Sequence, residues 1–442
     1  MKLISLLALS VACSPVTAKS SRPFSELISS DGNPSNSDDD GTEVDDEDED
    51  AEVPPDDAPP GDDDEQDVGD TEDDSDLPEW TIMVYLAGDN NLETFALGDL
   101  NEMEMAGSTD EVNLLVEIDR AHGYSSEDGD WTGARRYRVE ADTDPNRINS
   151  TVAMDLGEVD SGSPAAFIDF VTWGATAYPA KNYALIIWNH GWGWTFMPEE
   201  GRKGVASDDD SGNDISIANG EYESILAAAT EIIGKKFAIV GMDACLMANW
   251  ETARVTAPYA DYYVASQATE SVEGWAFDTA MSDLISDPTM SPANLGSNIA
   301  KRFYETDDST LSVVDLAALT EMDDAINSLA LSVMSTANPS SQVRSHARAT
   351  QSFDGDPNDR DLGDFVVRLA EGSSNADIAA AAEDVAVELD DTIVANFTNG
   401  GWVSDATGLS IYIPTRGGSA EYYGGSWVDL TSWDEMLLEV GD

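Results

Sequence analysis

The sequence predicts an α/β protein with a mostly parallel central sheet covered by helices on both faces. Short apolar runs rich in β-branched and aromatic residues recur after Trp80, and helix-period segments separate several of them. Two of the runs also end directly in residues that carry chemistry. Strands alternating with helices argue for parallel pairing, because parallel neighbours need a long crossover and a helix commonly fills it.

The strand candidates, in order, are Trp80 to Leu86, Val112 to Asp119, Tyr183 to Trp188, Phe237 to Met242, Tyr262 to Ser266 and Leu311 to Asp315. Ser163 and Pro164 read as N-cap and first-turn proline of a helix through AAFIDFVTWGATAY, and Gly220 to Ile233 forms another. The C-terminal part is expected to add a helical subdomain region.

Composition sets outer bounds. The 442 residues are 41% hydrophobic and 25% charged, yet the formal net charge is -67. Such a chain repels nucleic acid and attracts cationic peptides. Its acidic, lysine-poor surface also suits a salty medium, where screening shortens the range of self-repulsion. Residues 1–18 read as an export signal: Lys2, an apolar run from Leu3 to Ala12, then Cys13, too short to span a bilayer. Two processing routes stay open. Ser10-Val11-Ala12-Cys13 resembles a lipobox, which would acylate Cys13 and give the protein its membrane contact, and Val16-Thr17-Ala18 suits cleavage after Ala18. Residues 19–79 are dominated by Asp, Glu, Gly, Ser and Pro and read as a disordered, self-repelling linker. Residues 80–442 are the folded domain.

One strand, ALIIW, runs into Asn189-His190-Gly191; another, FAIVGM, runs into Asp243-Ala244-Cys245. In open α/β sheets function collects at the C-terminal strand ends, and about 55 residues between the two motifs suffice for a crossover. A cysteine nucleophile needs a neighbouring base to reach the thiolate, and histidine suits that task near neutral pH. Gly191, without a side chain, lets its backbone N–H approach a reacting carbonyl. Cys245 is the only cysteine of residues 80–442, so that domain can form no disulfide within itself. An inert core thiol is the alternative for Cys245 alone. His122 and His346 lack such a setting and are expected at the surface, and so few histidines disfavour a metal-dependent hydrolase.

These residues resemble the clostripain family of cysteine peptidases, caspase-like in fold, a clan CD architecture. The likeness runs in order through WTIMVYLAGDNNLE, VNLLVEIDR, NHGWGW, GRKGVASDDDSGNDIS, MDACLM, ASQATESVEGWAFD, DLGDF and ATGLSIYIP. It implies an α/β/α sandwich, with His190 as general base, Cys245 as nucleophile, and the Gly191 and Cys245 N–H groups as oxyanion donors. Asp243 would bind the basic side chain preceding the scissile bond in peptide substrates; the alternative is a cap on the next helix. Self-cleavage is expected after Lys203 or Arg202. No cofactor is required by the chemistry, although the acidic runs Asp208-Asp209-Asp210 and Asp354 to Asp359 could bind Ca²⁺. One departure stands out: Trp192 occupies a position where the family usually has glycine, so it could narrow the cleft or wall it. A catalytically silent surface binding protein that keeps the fold is the competing reading.

Overall fold

The computed structural model describes residues 76–195, 204–307, 309–353, 357–399, 401–403, 406–415 and 417–441. Cys13, the export signal, nearly all of the acidic linker and the Arg202-Lys203 pair lie outside the described residues.

The core is a 9-stranded sheet in the order β10-β8-β7-β6-β5-β1-β2-β3-β4. Its centre comprises β1 (Trp80–Gly88), β2 (Val112–Arg120), β5 (Asn182–Trp188), β6 (Phe237–Asp243) and β7 (Ala260–Ala265), all parallel. Five of the six expected runs therefore pair in parallel, while the sixth, Leu311 to Asp315, pairs antiparallel. Antiparallel strands complete both flanks: β3 (Ala134–Arg138) and β4 (Val152–Gly157) beyond β2, and β8 (Thr310–Asp315) and β10 (Ile393–Thr398) beyond β7.

Side chains alternate between two cores, as a two-residue period requires. Met83, Tyr85 and Ala87 of β1 enter one core, while Ile82, Val84 and Leu86 enter the other. The second face is covered by α1 (Glu93–Ala106), α5 (Phe277–Ser286) and α6 (Pro292–Thr306). The first receives α2 (Pro164–Ala177), α3 (Glu221–Ile233) and α4 (Trp250–Thr256). Ser163 caps α2 as the sequence predicts, accepting from the Ala166 N–H at 3.3 Å, with proline in the first turn. The C-terminal helices α7 (Leu319–Met334), α8 (Pro339–Ala349), α9 (Leu362–Gly372), α10 (Ala376–Thr392) and α11 (Trp433–Gly441) share buried residues with that same first core. The helical region is thus an extension of the sandwich and has no separate core. A short ladder of β9 (Asp359–Asp361) and β11 (Ser410–Tyr412) hydrogen-bonds to the main body where Ser410 N–H meets Ala248 C=O at 2.9 Å.

Strand order fixes the site. From β1 the chain steps outward to β2, then returns to the other side of β1 with β5 and continues to β6 and β7. The strand order reverses between β1 and β5, and loops leaving the C-terminal ends of such strands diverge around a crevice. Among the described residues, no helix is long and apolar enough to cross a membrane.

Candidate active site

His190 and Cys245 emerge at one level of the sheet. Trp188 of β5 pairs with Asp243 of β6, the Asn189 N–H continues the ladder to Asp243 C=O at 3.3 Å, and each functional residue lies two positions beyond the paired couple. The two loops then touch through backbone. A Cβ added at Gly191 would stand 2.2 Å from Cys245 C=O and 2.9 Å from Cys245 N, so only glycine permits the approach. Both His190 and Cys245 are buried, at 2% and 3% exposure.

The thiol sits against the next loop. Glu270 N–H points at Cys245 Sγ from 3.4 Å. Leu246, immediately after Cys245, has φ 65, a left-handed conformation that costs a non-glycine residue roughly 1–2 kcal/mol. Its N–H is held by Ala268 C=O at 3.0 Å, which pins the turn that presents Cys245.

His190 is held once through its backbone and once through its ring. His190 N–H donates to Asn189 Oδ1 at 2.5 Å, and Asn189 Nδ2 in turn donates to Ala87 C=O at the end of β1, also at 2.5 Å. The ring Nε2 meets Asn91 Oδ1 at 2.9 Å. Asn91 was not legible as a site residue, because an Asn-Asn pair after a strand reads as turn chemistry. Its position in the loop that follows β1, beside the strand reversal, was the available signal.

A small pocket of about 20 Å³ opens beside Cys245, lined by Leu92, Trp188, Asp243, Cys245, Val272 and Gly274 among others. Asp243 is one of the residues that line it. The helix-cap alternative fails: α4 is capped by Asn249, whose side chain accepts from the Thr252 N–H, while Asp243 accepts from the Trp275 N–H at 3.0 Å. Asp243 is not alone. Asp99 of α1 and Asp243 both converge on Gly274, each with an oxygen 3.1 Å from where a Cβ would stand. Glu270 adds a third buried carboxyl. Burial pushes the Asp243 carboxyl up to about 7, opposed by the Trp275 N–H. Asp99 and Glu270 are held well above the usual carboxylate range by burial and by the charge of Asp243. An acidic pocket that binds no cation must hold protons, and a basic side chain entering it would displace them.

Trp192 is buried and packs with Cys245, Leu246, Ala268 and Phe353, so the indole is part of the wall beside Cys245. Gly193, at φ +64, and Trp194, enclosed by the rings of Tyr412, Tyr422 and Trp427 at 5.1 to 5.4 Å, anchor this segment. His122 is exposed as expected. His346 is half-buried instead, its ring lying over Gly372, where a Cβ would come within 2.2 Å of the imidazole.

Of the acidic runs, Asp208 joins Asp89 and Asp119, all three buried, with ligand oxygens within 4.8 Å of one another; Asp210 approaches Asp89 and Glu158. The sequence pointed to Asp208 but not to its partners, which come from the ends of β1 and β2. Part of the run Asp354 to Asp359 lies outside the described residues, and Asp359 is in β9.

A caspase-like α/β/α sandwich whose adjacent parallel strands run into a histidine and a cysteine defines a clan CD type of cysteine peptidase. A sequence model of the clostripain family matches residues 84–440, and the chain belongs to that family of cysteine peptidases. It is 28% identical over 216 residues to the clostripain of Hathewaya histolytica, covering 45% of this chain and 40% of that protein's length. A secreted C11 cysteine protease from Bacteroides thetaiotaomicron, solved with an irreversible peptide inhibitor, superposes with a TM-score of 0.61 at 20% identity, covering 82% of this chain and 99% of that one. An inactive zymogen C11 protease from Parabacteroides distasonis gives 0.57 at 19% identity, covering 82% and 98%. These two structures share the fold.

Proposed function

We propose that this chain is an exported cysteine endopeptidase that hydrolyses peptide bonds following arginine or lysine. The carrying observation is the buried Asp243 carboxyl in the wall of the pocket beside Cys245. A substrate lying across the thiol would place the side chain before its scissile bond in that pocket, where a cation meets Asp243 and its carboxyl neighbours. Arginine suits such a floor especially, because its planar fork can bond two acceptors at once.

Chemistry then follows from the chain's own residues. His190 takes the Cys245 proton, the thiolate attacks the scissile carbonyl, and the tetrahedral oxyanion is met by the Gly191 and Cys245 N–H groups. As the C–N bond breaks, His190 returns the proton to the leaving amine. Water, with His190 as base, hydrolyses the acyl-enzyme and restores the thiol.

Self-cleavage after Lys203 or Arg202 would activate the protein, since that basic pair falls between the His and Cys loops and meets the same specificity. The active protein should then migrate as two fragments and Cys245→Ala as one. The leader reads as an export signal, with lipidation at Cys13 or cleavage after Ala18 as the two routes.

The acidic cluster fits a divalent cation. Asp89 Oδ2 and Asp119 Oδ2 are buried without a hydrogen-bond partner and face Asp208, a hard-oxygen donor set suited to Ca²⁺. A bound ion would tie the segment carrying Asp208 to the ends of β1 and β2. Calorimetric melting should show a midpoint that rises with Ca²⁺ concentration in the wild type and not in Asp119→Asn.

Fluorogenic peptides differing only at the residue before the cut test the main reading. Wild type should favour Arg and Lys, and Asp243→Asn should lower kcat/KM on the Arg peptide by about 100-fold, the scale of losing a buried charge partner. Equal cleavage after Arg and after Ala, or full Arg activity in Asp243→Asn, would remove the assignment.

A further inference from the structure

We infer that Asn91 is a positioning residue for His190: its side-chain oxygen holds the Nε2 edge of the ring and so selects Nδ1 as the nitrogen that exchanges protons at the active site. The inference rests on the peptidase reading of His190 and Cys245 given above. Asn91 Oδ1 stands 2.9 Å from Nε2. An amide oxygen only accepts, so Nε2 must carry the hydrogen. A neutral ring with Nε2 protonated keeps its lone pair on Nδ1, which makes Nδ1 the base.

Both partners of this contact have rigid supports. Asn90 Nδ2 donates to Ala87 C=O at 2.8 Å and to Ser207 C=O at 3.1 Å, and Asn90 Oδ1 accepts from the Leu92 N–H at 2.9 Å. Asn189, which precedes His190, donates to the same Ala87 C=O. The loops carrying Asn91 and His190 are thus referenced to one carbonyl at the end of β1. A histidine whose backbone is fixed by Asn189 and whose ring is met by Asn91, the two loops so linked, keeps its orientation through the reaction, which is what a proton-transfer group requires.

The chemical type of Asn91 also fits. A carboxylate at this position would stabilise the imidazolium and hold the ring protonated at higher pH. An amide orients the ring without adding charge to an already strongly acidic chain. In acylation the proton passes from Sγ to Nδ1 and then to the leaving nitrogen as the S–C bond forms and the C–N bond breaks. In deacylation Nδ1 takes a proton from water as the C–O bond forms, and gives it to sulfur as the C–S bond breaks. Nε2–H stays on Asn91 throughout.

The test compares wild type, Asn91→Ala and Asn91→Asp on one fluorogenic peptide with arginine before the cut, measuring kcat and KM separately across pH, with a melting curve for each. Asn91 is exposed, so all three should melt alike. Asn91→Ala should lose about 10–100-fold in kcat, with KM changed by less than about twofold. Asn91→Asp should recover part of that loss and shift the pH profile of kcat upward, because an acceptor is restored and the ring pKa is raised. An active wild type with unchanged kcat in Asn91→Ala overturns this inference alone, as does an equal loss in both variants with an unmoved pH profile. A wild type that cleaves no peptide after arginine or lysine overturns the peptidase reading and this inference with it.

Discussion

Gly191 and Leu246 show what the backbone gives up to bring the His190 and Cys245 loops together. Gly191 admits no Cβ against Cys245 C=O, and Leu246 accepts a left-handed φ next to Cys245. Gly191→Ala should therefore push the His190 and Cys245 loops apart. A displacement of about 1 Å costs on the order of 100-fold in rate, so kcat should fall by at least that while the inhibitor-free protein still folds, as circular dichroism and steady-state kinetics would show. Much of this residue scale was legible. A sole cysteine and a histidine at successive strand ends, with an acid two positions before the thiol, follow from spacing and strand topology. Asp99 did not, because it comes from α1, far from β6 in sequence, and it looks like any other acid on a helix of an acidic chain. Glu270 escaped for a different reason: its backbone N–H acts on Cys245, and backbone roles leave no trace in residue type.

At the scale of elements, four residues in the loop between β1 and α1 serve different parts of the site: Asp89 the acidic cluster, Asn90 the loop itself, Asn91 the imidazole and Leu92 the pocket wall. The next residue, Glu93, clamps this loop to the end of β2 through a 2.6 Å ion pair with Arg120, both side chains fully buried. Arg120 also donates to Glu127 C=O and lies over the Trp131 ring at 4.6 Å. Glu93→Ala would leave a buried guanidinium without its charge partner. The loss should be about 3–5 kcal/mol in a denaturant titration, with the Glu93→Ala, Arg120→Met double variant recovering part of it. The parallel strands were readable because burial on both faces makes them continuous apolar runs. The flanking strands were not. β3 is ARRYR, whose arginines are absorbed by partners such as Glu117, 2.5 Å from Arg136, and β4 is mostly exposed, so neither carries a hydrophobic period.

For the whole molecule, charge is the dominant fact. With a formal net charge of -67, the folded chain is under self-repulsion that salt screens over roughly 10 Å at 0.1 M and about 3 Å at 1 M. The melting temperature should therefore rise with NaCl over that range; a fall would contradict the electrostatic account. Buried acids add a pH dependence of definite sign. Burial raises Asp243 from 3.8 to about 7 and Glu102 from 4.5 to about 7. The folded state then binds more protons than the unfolded one between those values, so stability falls as pH rises from about 4 to about 7. At low salt the melting temperature at pH 5 should exceed that at pH 7.5, a difference that Asp243→Asn should reduce.

All scales meet in one requirement: Cys245 must be a nucleophile whose neighbouring pocket selects a basic side chain. The most direct measurement treats the protein with a peptide electrophile carrying arginine next to its warhead, followed by digestion and mass spectrometry. The adduct should fall on Cys245, disappear in His190→Ala at short reaction times, and form far more slowly when the arginine is replaced by alanine. Absence of an adduct on Cys245, or labelling indifferent to that replacement, would contradict the account.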